Sequence, residues 1–100
     1  MFTVDDVNYT LKFNRQKSNA IERQSGKSLM AEFNQTGGLI PVWLIEIMFA
    51  AALVEETDNK PIKGQKALDI CGQVLEANGY KSTVTAVVNK YTDDMGFMFR

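Results

Sequence analysis

Apolar and polar residues alternate with a period of two only near the N-terminus. Phe2 and Val4 alternate with polar neighbours, and Tyr9, Leu11 and Phe13 alternate with Thr10 and Lys12. That period belongs to a half-buried strand. Asp5-Asp6-Val7-Asn8 between the two runs is turn-prone, because Asp and Asn tolerate tight backbone geometry. Residues 2–13 therefore read as a short hairpin. A two-stranded hairpin alone is marginal in water, so its Leu11/Phe13 face needs helices to cover it.

From Asn14 onward the period changes to that of helices. Asn14 is a candidate N-cap for a helix to about Ser25, with Gly26 as its C-terminal stop. Its apolar stripe is narrow (Ile21 and Ala20, with the stem of Lys17), which suits a surface helix. Ser28 opens a shorter helix with Leu29, Met30 and Phe33, ended by Thr36-Gly37-Gly38. Ile40-Pro41 opens the central element, Pro being tolerated in a first turn. Val42 to Val54 is then apolar on nearly every face, the pattern of a buried helix. Covering every face of it is difficult in a chain this short, a first sign of self-association. Glu55 to Pro61 is a polar loop.

The next helix runs from about Gly64 to Asn78, with Ala67, Leu68, Cys71, Val74 and Leu75 as its stripe and Asn78-Gly79 as its stop. Ser82 is positioned to cap a last helix through about Tyr91, with Val84, Val87, Val88 and Tyr91 apolar. No repeat, low-complexity tract or linker is visible. The expected fold is mostly α (α+β by strict count), a small bundle of four to five helices with a short N-terminal β-hairpin. It forms one domain: hairpin 2–13, helical body 14–91, apolar tail 92–100.

Composition narrows the function. One hundred residues suit one domain, exposing roughly 5,700 Å² of the roughly 16,000 Å² of the extended chain. Hydrophobic residues at 45% and charged residues at 23% are ordinary globular values. The net charge of −1 leaves no global footprint for nucleic acid or an anionic membrane. There is no histidine, which removes imidazole general-base chemistry, and the single Cys71 can build neither an internal disulfide nor a thiolate zinc site. The N-terminus lacks the pattern of a secretory signal. The longest apolar stretch, Leu39 to Val54, is about 16 residues interrupted by Glu46 and falls short of the roughly 20 a membrane span needs. These features point to an intracellular, soluble, non-enzymatic protein without a cofactor.

Each chemical motif has a structural explanation beside it. Gly26-Lys27-Ser28 matches the end of a phosphate-binding loop, but that loop needs a Gly five positions earlier, where Ile21 stands, and a preceding strand. A helix stop followed by a Ser N-cap explains it instead. The acidic pairs Asp5/Asp6, Glu55/Glu56 and Asp93/Asp94 fall in expected turns and loops, where solvated charge is ordinary. Residues 12–27 set Lys12, Arg15, Lys17, Arg23 and Lys27 against Glu22, a local net charge of +4. Stacking aromatics and a basic recognition helix are missing there, so a solvated face or an acidic protein partner fits better than nucleic acid. Cys71 reads as a small buried hydrophobe. The tail Met95-Gly96-Phe97-Met98-Phe99 either folds back onto the body or docks a partner, since Met and Phe adapt to varied apolar surfaces.

The first half also resembles a known family. Tyr9-Thr10-Leu11-Lys12-Phe13 precedes a helix with Ala20-Ile21-Glu22; Gly26-Lys27-Ser28-Leu29 follows, and Pro41 opens a hydrophobic helix ending in Ala50-Ala51-Ala52-Leu53. This resembles the tail assembly chaperones of siphovirus-type phages and prophages of Gram-positive bacteria, over roughly residues 2–55. The second half agrees only as further helices. The resemblance implies a helical protein of the host cytoplasm, absent from the mature virion, that binds the tape measure protein and helps recruit tail tube subunits. It transfers no catalytic residue. A homo-oligomer that contacts neither nucleic acid nor membrane is expected, with Trp43, Ile47, Met48, Met95, Phe97, Met98 and Phe99 as candidate partner-binding residues. The competing readings are a structural head–tail component of the virion and a DNA-binding regulator using the basic 12–27 segment.

Overall fold

Residues 2–37 and 39–99 are described by a computed structural model, the side chains of Thr36, Met98 and Phe99 excepted. Strands β1 (Phe2–Val4) and β2 (Val7–Leu11) form the expected hairpin in the register Phe2↔Tyr9 and Val4↔Val7. Asp5 and Asp6 make its two-residue turn with φ of 51° and 66°. Two left-handed residues in succession give the turn whose twist matches that of paired strands, and Asp enters this region at lower cost than most residues.

The sheet has a third strand that the hydrophobic pattern conceals. The central helix stops at Ala52, and Leu53–Glu55 continues as β3, antiparallel to β2 with Tyr9↔Glu55 and Leu11↔Leu53 opposed. The sheet order is β1-β2-β3. Long-range pairing explains the switch: Leu53 and Val54 satisfy the second edge of β2, a gain that outweighs one further helical turn. The following loop is tightly tied, with Glu55 N–H donating to Lys60 O at 2.9 Å and Asn59 N–H to Glu55 O at 2.8 Å.

Helices α1 (Arg15–Ser25) and α2 (Leu29–Thr36) sit where their caps place them. Asn14 Oδ1 accepts from Lys17 N–H at 2.8 Å, and Ser28 Oγ accepts from Ala31 N–H at 3.4 Å. Gly26 ends α1 in the left-handed conformation, φ 70°, its N–H bonded to Glu22 O. Glu22 Oε2 also accepts from Leu29 N–H at 2.9 Å, which joins the two helices across the turn. Gly37 ends α2 in the same left-handed way; the neighbouring Gly38 lies outside the described residues. Helix α3 is Val42–Ala52, with Pro41 at the N-cap, one residue outside the expected first turn.

Helices α4 (Gly64–Asn78) and α5 (Tyr80–Asp94) are separated by Gly79 alone. Ser82 does not cap α5, which starts three residues earlier than such a cap would place it because Gly79, at φ 84° and ψ 166°, lets the chain reverse within one residue. The helix also runs past Tyr91. Asp94 holds that extension: its Oδ2 accepts from Phe13 N–H at 2.9 Å, and its Oδ1 pairs with Lys90 at 3.0 Å. The tail then closes into a 3-10 turn, Gly96–Phe99.

α3 runs through the middle of the core. Leu44, Ile45, Met48, Phe49 and Ala52 are buried against Tyr9, Leu11 and Phe13 of the sheet side, Ala67, Ile70 and Cys71 of α4, and Val84 and Val87 of α5. On α4, Ile70 takes the core place expected of Leu68, which is turned outward. Tyr91 meets Phe13 and Phe33 edge-on, with centroids 5.2 and 5.4 Å away, and its hydroxyl shares a 2.8 Å hydrogen bond with Ser18 Oγ. Among the described residues no helix is long and apolar enough to cross a membrane.

Candidate functional site

One face of α3 holds Trp43, Ile47, Ala50 and Ala51, the last three partly packed against the core. Their spacing of i, i+4, i+7 and i+8 is one helix face. Trp43 is 44% exposed, while Ile47, Ala50 and Ala51 are half-buried. Beside Ile47 and the two alanines, Gln24 near the end of α1 and Lys63, Gly64 and Leu68 at the start of α4 enclose an open groove of about 280 Å³. Leu39 and Val42 extend the exposed apolar surface at the N-terminal end of α3. Tyr80 is held near them, its hydroxyl donating to Ile40 O.

Among the lining residues there is no thiol, hydroxyl or carboxylate. Ala50, Ala51 and Gly64 have little or no side chain, so a partner's backbone can approach closely there. Trp43, Ile47 and Leu68 supply apolar area, and Lys63 and Gln24 form a polar rim. Such a groove takes the apolar ridge of an amphipathic helix. Burial, and secondarily the Glu46 carboxylate, push the Cys71 thiol up to about 11. It is fully buried and stays protonated at neutral pH, so it is no nucleophile.

Of the expected partner-binding residues, the structure brings Trp43 and Ile47 to this face. Met48 and Met95 are fully buried in the chain's own core and present no surface. Met48 follows Ile47 by one position and so points about 100° around the helix. Met95 closes the end of α5, where its N–H donates to Tyr91 O and the adjacent Asp94 is pinned. Phe97 is 49% exposed but does not line the groove. The side chains of Met98 and Phe99 lie outside the described residues. Sequence reasoning missed Leu39, Val42, Ala50, Ala51 and Leu68 as surface. The i, i+4, i+7 spacing from Trp43 was present, but apolar residues on every face of α3 mask it.

The other motifs resolve into structure. Gly26-Lys27-Ser28 is a helix stop followed by a helix cap, and Asp5/Asp6 is the hairpin turn. In the basic segment, Lys17 Nζ donates to Lys12 O at 2.8 Å. Burial lowers the pKa of Lys17, opposed by the Asp94 carboxylate and aided by Lys12. Among the described residues no group of three or more His, Cys, Asp or Glu converges as a metal site would require. Set against protein-family models, curated proteins and solved structures, the chain matches none.

Proposed function

We propose that the chain is a non-catalytic assembly chaperone of the kind its first half resembles. In this reading it shields a long helical client, the tape measure protein of a siphovirus-type tail, and assists assembly of the tail tube. It works in the host cytoplasm, in several copies, and leaves before the virion is complete. The observation behind the reading is the apolar face of α3. A 44%-exposed Trp43 lies one helical turn from a groove lined by Ile47, Ala50, Ala51 and Leu68, on a helix whose buried side is core. A client with exposed apolar stripes needs such a surface more than it needs a tight polar site. Trp at the centre of an interface is a frequent hot spot.

The test is calorimetric titration of a helical tape measure segment into the intact chain and into Ile47→Asp. A charge placed on the groove floor is expected to weaken binding by about 30-fold or more, corresponding to about 2 kcal/mol. Equal affinity for both proteins would remove α3 from the mechanism. Recovery of the protein in purified, finished particles would instead favour a structural component of the virion.

A further inference from the structure

We infer that Glu46 selects the client of the α3 face, an amphipathic helix that carries a lysine or arginine at the edge of its apolar stripe. The inference rests on α3 being the client surface and adds the charge that the client must bring.

Glu46 is the only charged residue between Val42 and Ala52. It follows Trp43 by three positions and precedes Ala50 by four, a spacing that puts all three on one side of the helix. The groove beside Ile47 and Ala50 does not include Glu46 among its lining residues, so the carboxylate borders the groove. From Ala50 it is one turn away, about 6 Å along the axis. Its charge acts on the Cys71 thiol, which sets it on the side facing α4.

Glu46 is half-buried, and among the described residues it makes no ion pair and no side-chain hydrogen bond. Two other half-buried carboxylates are engaged within the chain. Glu22 accepts from Leu29 N–H, and Asp94 joins Phe13 N–H to Lys90. Those two hold the fold together, whereas Glu46 is left for an incoming group.

A helix laid on this face takes water from the carboxylate. Losing water without gaining a cation is costly for a charged group. A basic side chain on the client removes that cost, and an acidic one adds repulsion. Trp43, 44% exposed on the same side, offers a ring face to the same cation. Lys63 narrows the position further. It lines the groove, so a cation within the groove meets like charge. The client therefore places apolar residues in the groove and its basic residue at the Glu46 edge.

The test is calorimetry of the intact chain with two blocked peptides of about 18 residues, long enough to hold a helix. Both carry one leucine stripe on a background of alanine and glutamine. One edge of the stripe bears lysines in the first peptide and glutamates in the second. The lysine peptide is expected to bind about tenfold more tightly, and concentrated salt should shrink the difference. Glu46→Gln, which keeps the size of the side chain, should lose the preference, and Glu46→Lys should reverse it. Equal affinities for the natural chain, or a lysine preference that survives in Glu46→Gln, would overturn the inference. With equal affinities that Ile47→Asp still weakens, α3 remains the client surface and Glu46 alone leaves the mechanism. Binding that Ile47→Asp leaves unchanged, or no binding of either peptide, would remove the α3 reading and this inference with it.

Discussion

Cys71 shows how one buried group links structure to solution behaviour. Its thiol is raised from 9 to about 11, first by burial and then by Glu46. Between those values the folded chain keeps a proton that the unfolded chain has released. Stability from this group is therefore complete below pH 9 and is lost as pH rises toward about 11. Denaturant titrations at several pH values should show a steeper alkaline loss for the natural chain than for Cys71→Ala. Tyr91, also raised by burial, titrates in both proteins and drops out of the difference. Parallel pH profiles would contradict this account.

The same scale shows where sequence reading stops. Ile47 lines the groove and Met48 is fully buried, yet they are adjacent apolar residues. A helix announces its outward face through polar positions, and between Val42 and Ala52 only Glu46 is polar. One polar residue is too few to phase the helix, so Met48 looked as available to a partner as Ile47.

Among the elements, those defined by local chemistry were legible and those defined by distant partners were not. Asn14, Gly26 and Ser28 bound α1 and α2 through their own backbone bonds, and each could be read from a few neighbouring residues. β3 exists because β2 has an edge some forty residues earlier in the chain, and α5 outlasts Tyr91 because Asp94 reaches Phe13 N–H. Neither cause lies within a local window of sequence. The hairpin turn is exposed, as the other local devices are, and is the simplest to test. At φ 66°, Asp6 occupies a conformation that glycine adopts freely and β-branched residues resist. Asp6→Gly is expected to raise stability by about 0.5 kcal/mol, and Asp6→Val to lower it by about 1 kcal/mol or more. Chemical denaturation of the two variants checks both directions, and equal stabilities would mean that the turn is not the strained point of the hairpin.

For the molecule as a whole, the question is how much apolar surface remains for partners. The folded chain exposes 6050 Å², close to the roughly 5,700 Å² expected of a monomer of this mass. Its radius of gyration of 12.7 Å is also close to the roughly 13 Å of an ordinary 100-residue domain. Most of the apolar content that pointed to self-association is therefore hidden within one chain, α3's inner side above all. Among the described residues, the large apolar side chains left outside are localised: the α3 face with Leu39, Val42, Leu68 and Tyr80, and Phe97 in the final turn. Our reading gives the first to the client and the second to contact between copies. Light scattering at tens of micromolar should find a smaller mean mass for Phe97→Ala than for the natural chain. Identical masses would exclude Phe97 from assembly while leaving the α3 face untouched.

The claim that α3 is the client surface has its own reporter, because Trp43 is the only tryptophan in the chain. The residue is 44% exposed in the free protein. Titration with a helical tape measure segment, followed by tryptophan emission and by co-elution on a sizing column, tests that claim most directly. Emission should move to shorter wavelength in step with complex formation, and Ile47→Asp should shift both changes together to about 30-fold higher client concentration or beyond. A complex that forms while Trp43 emission stays unchanged would place the client elsewhere and contradict the account.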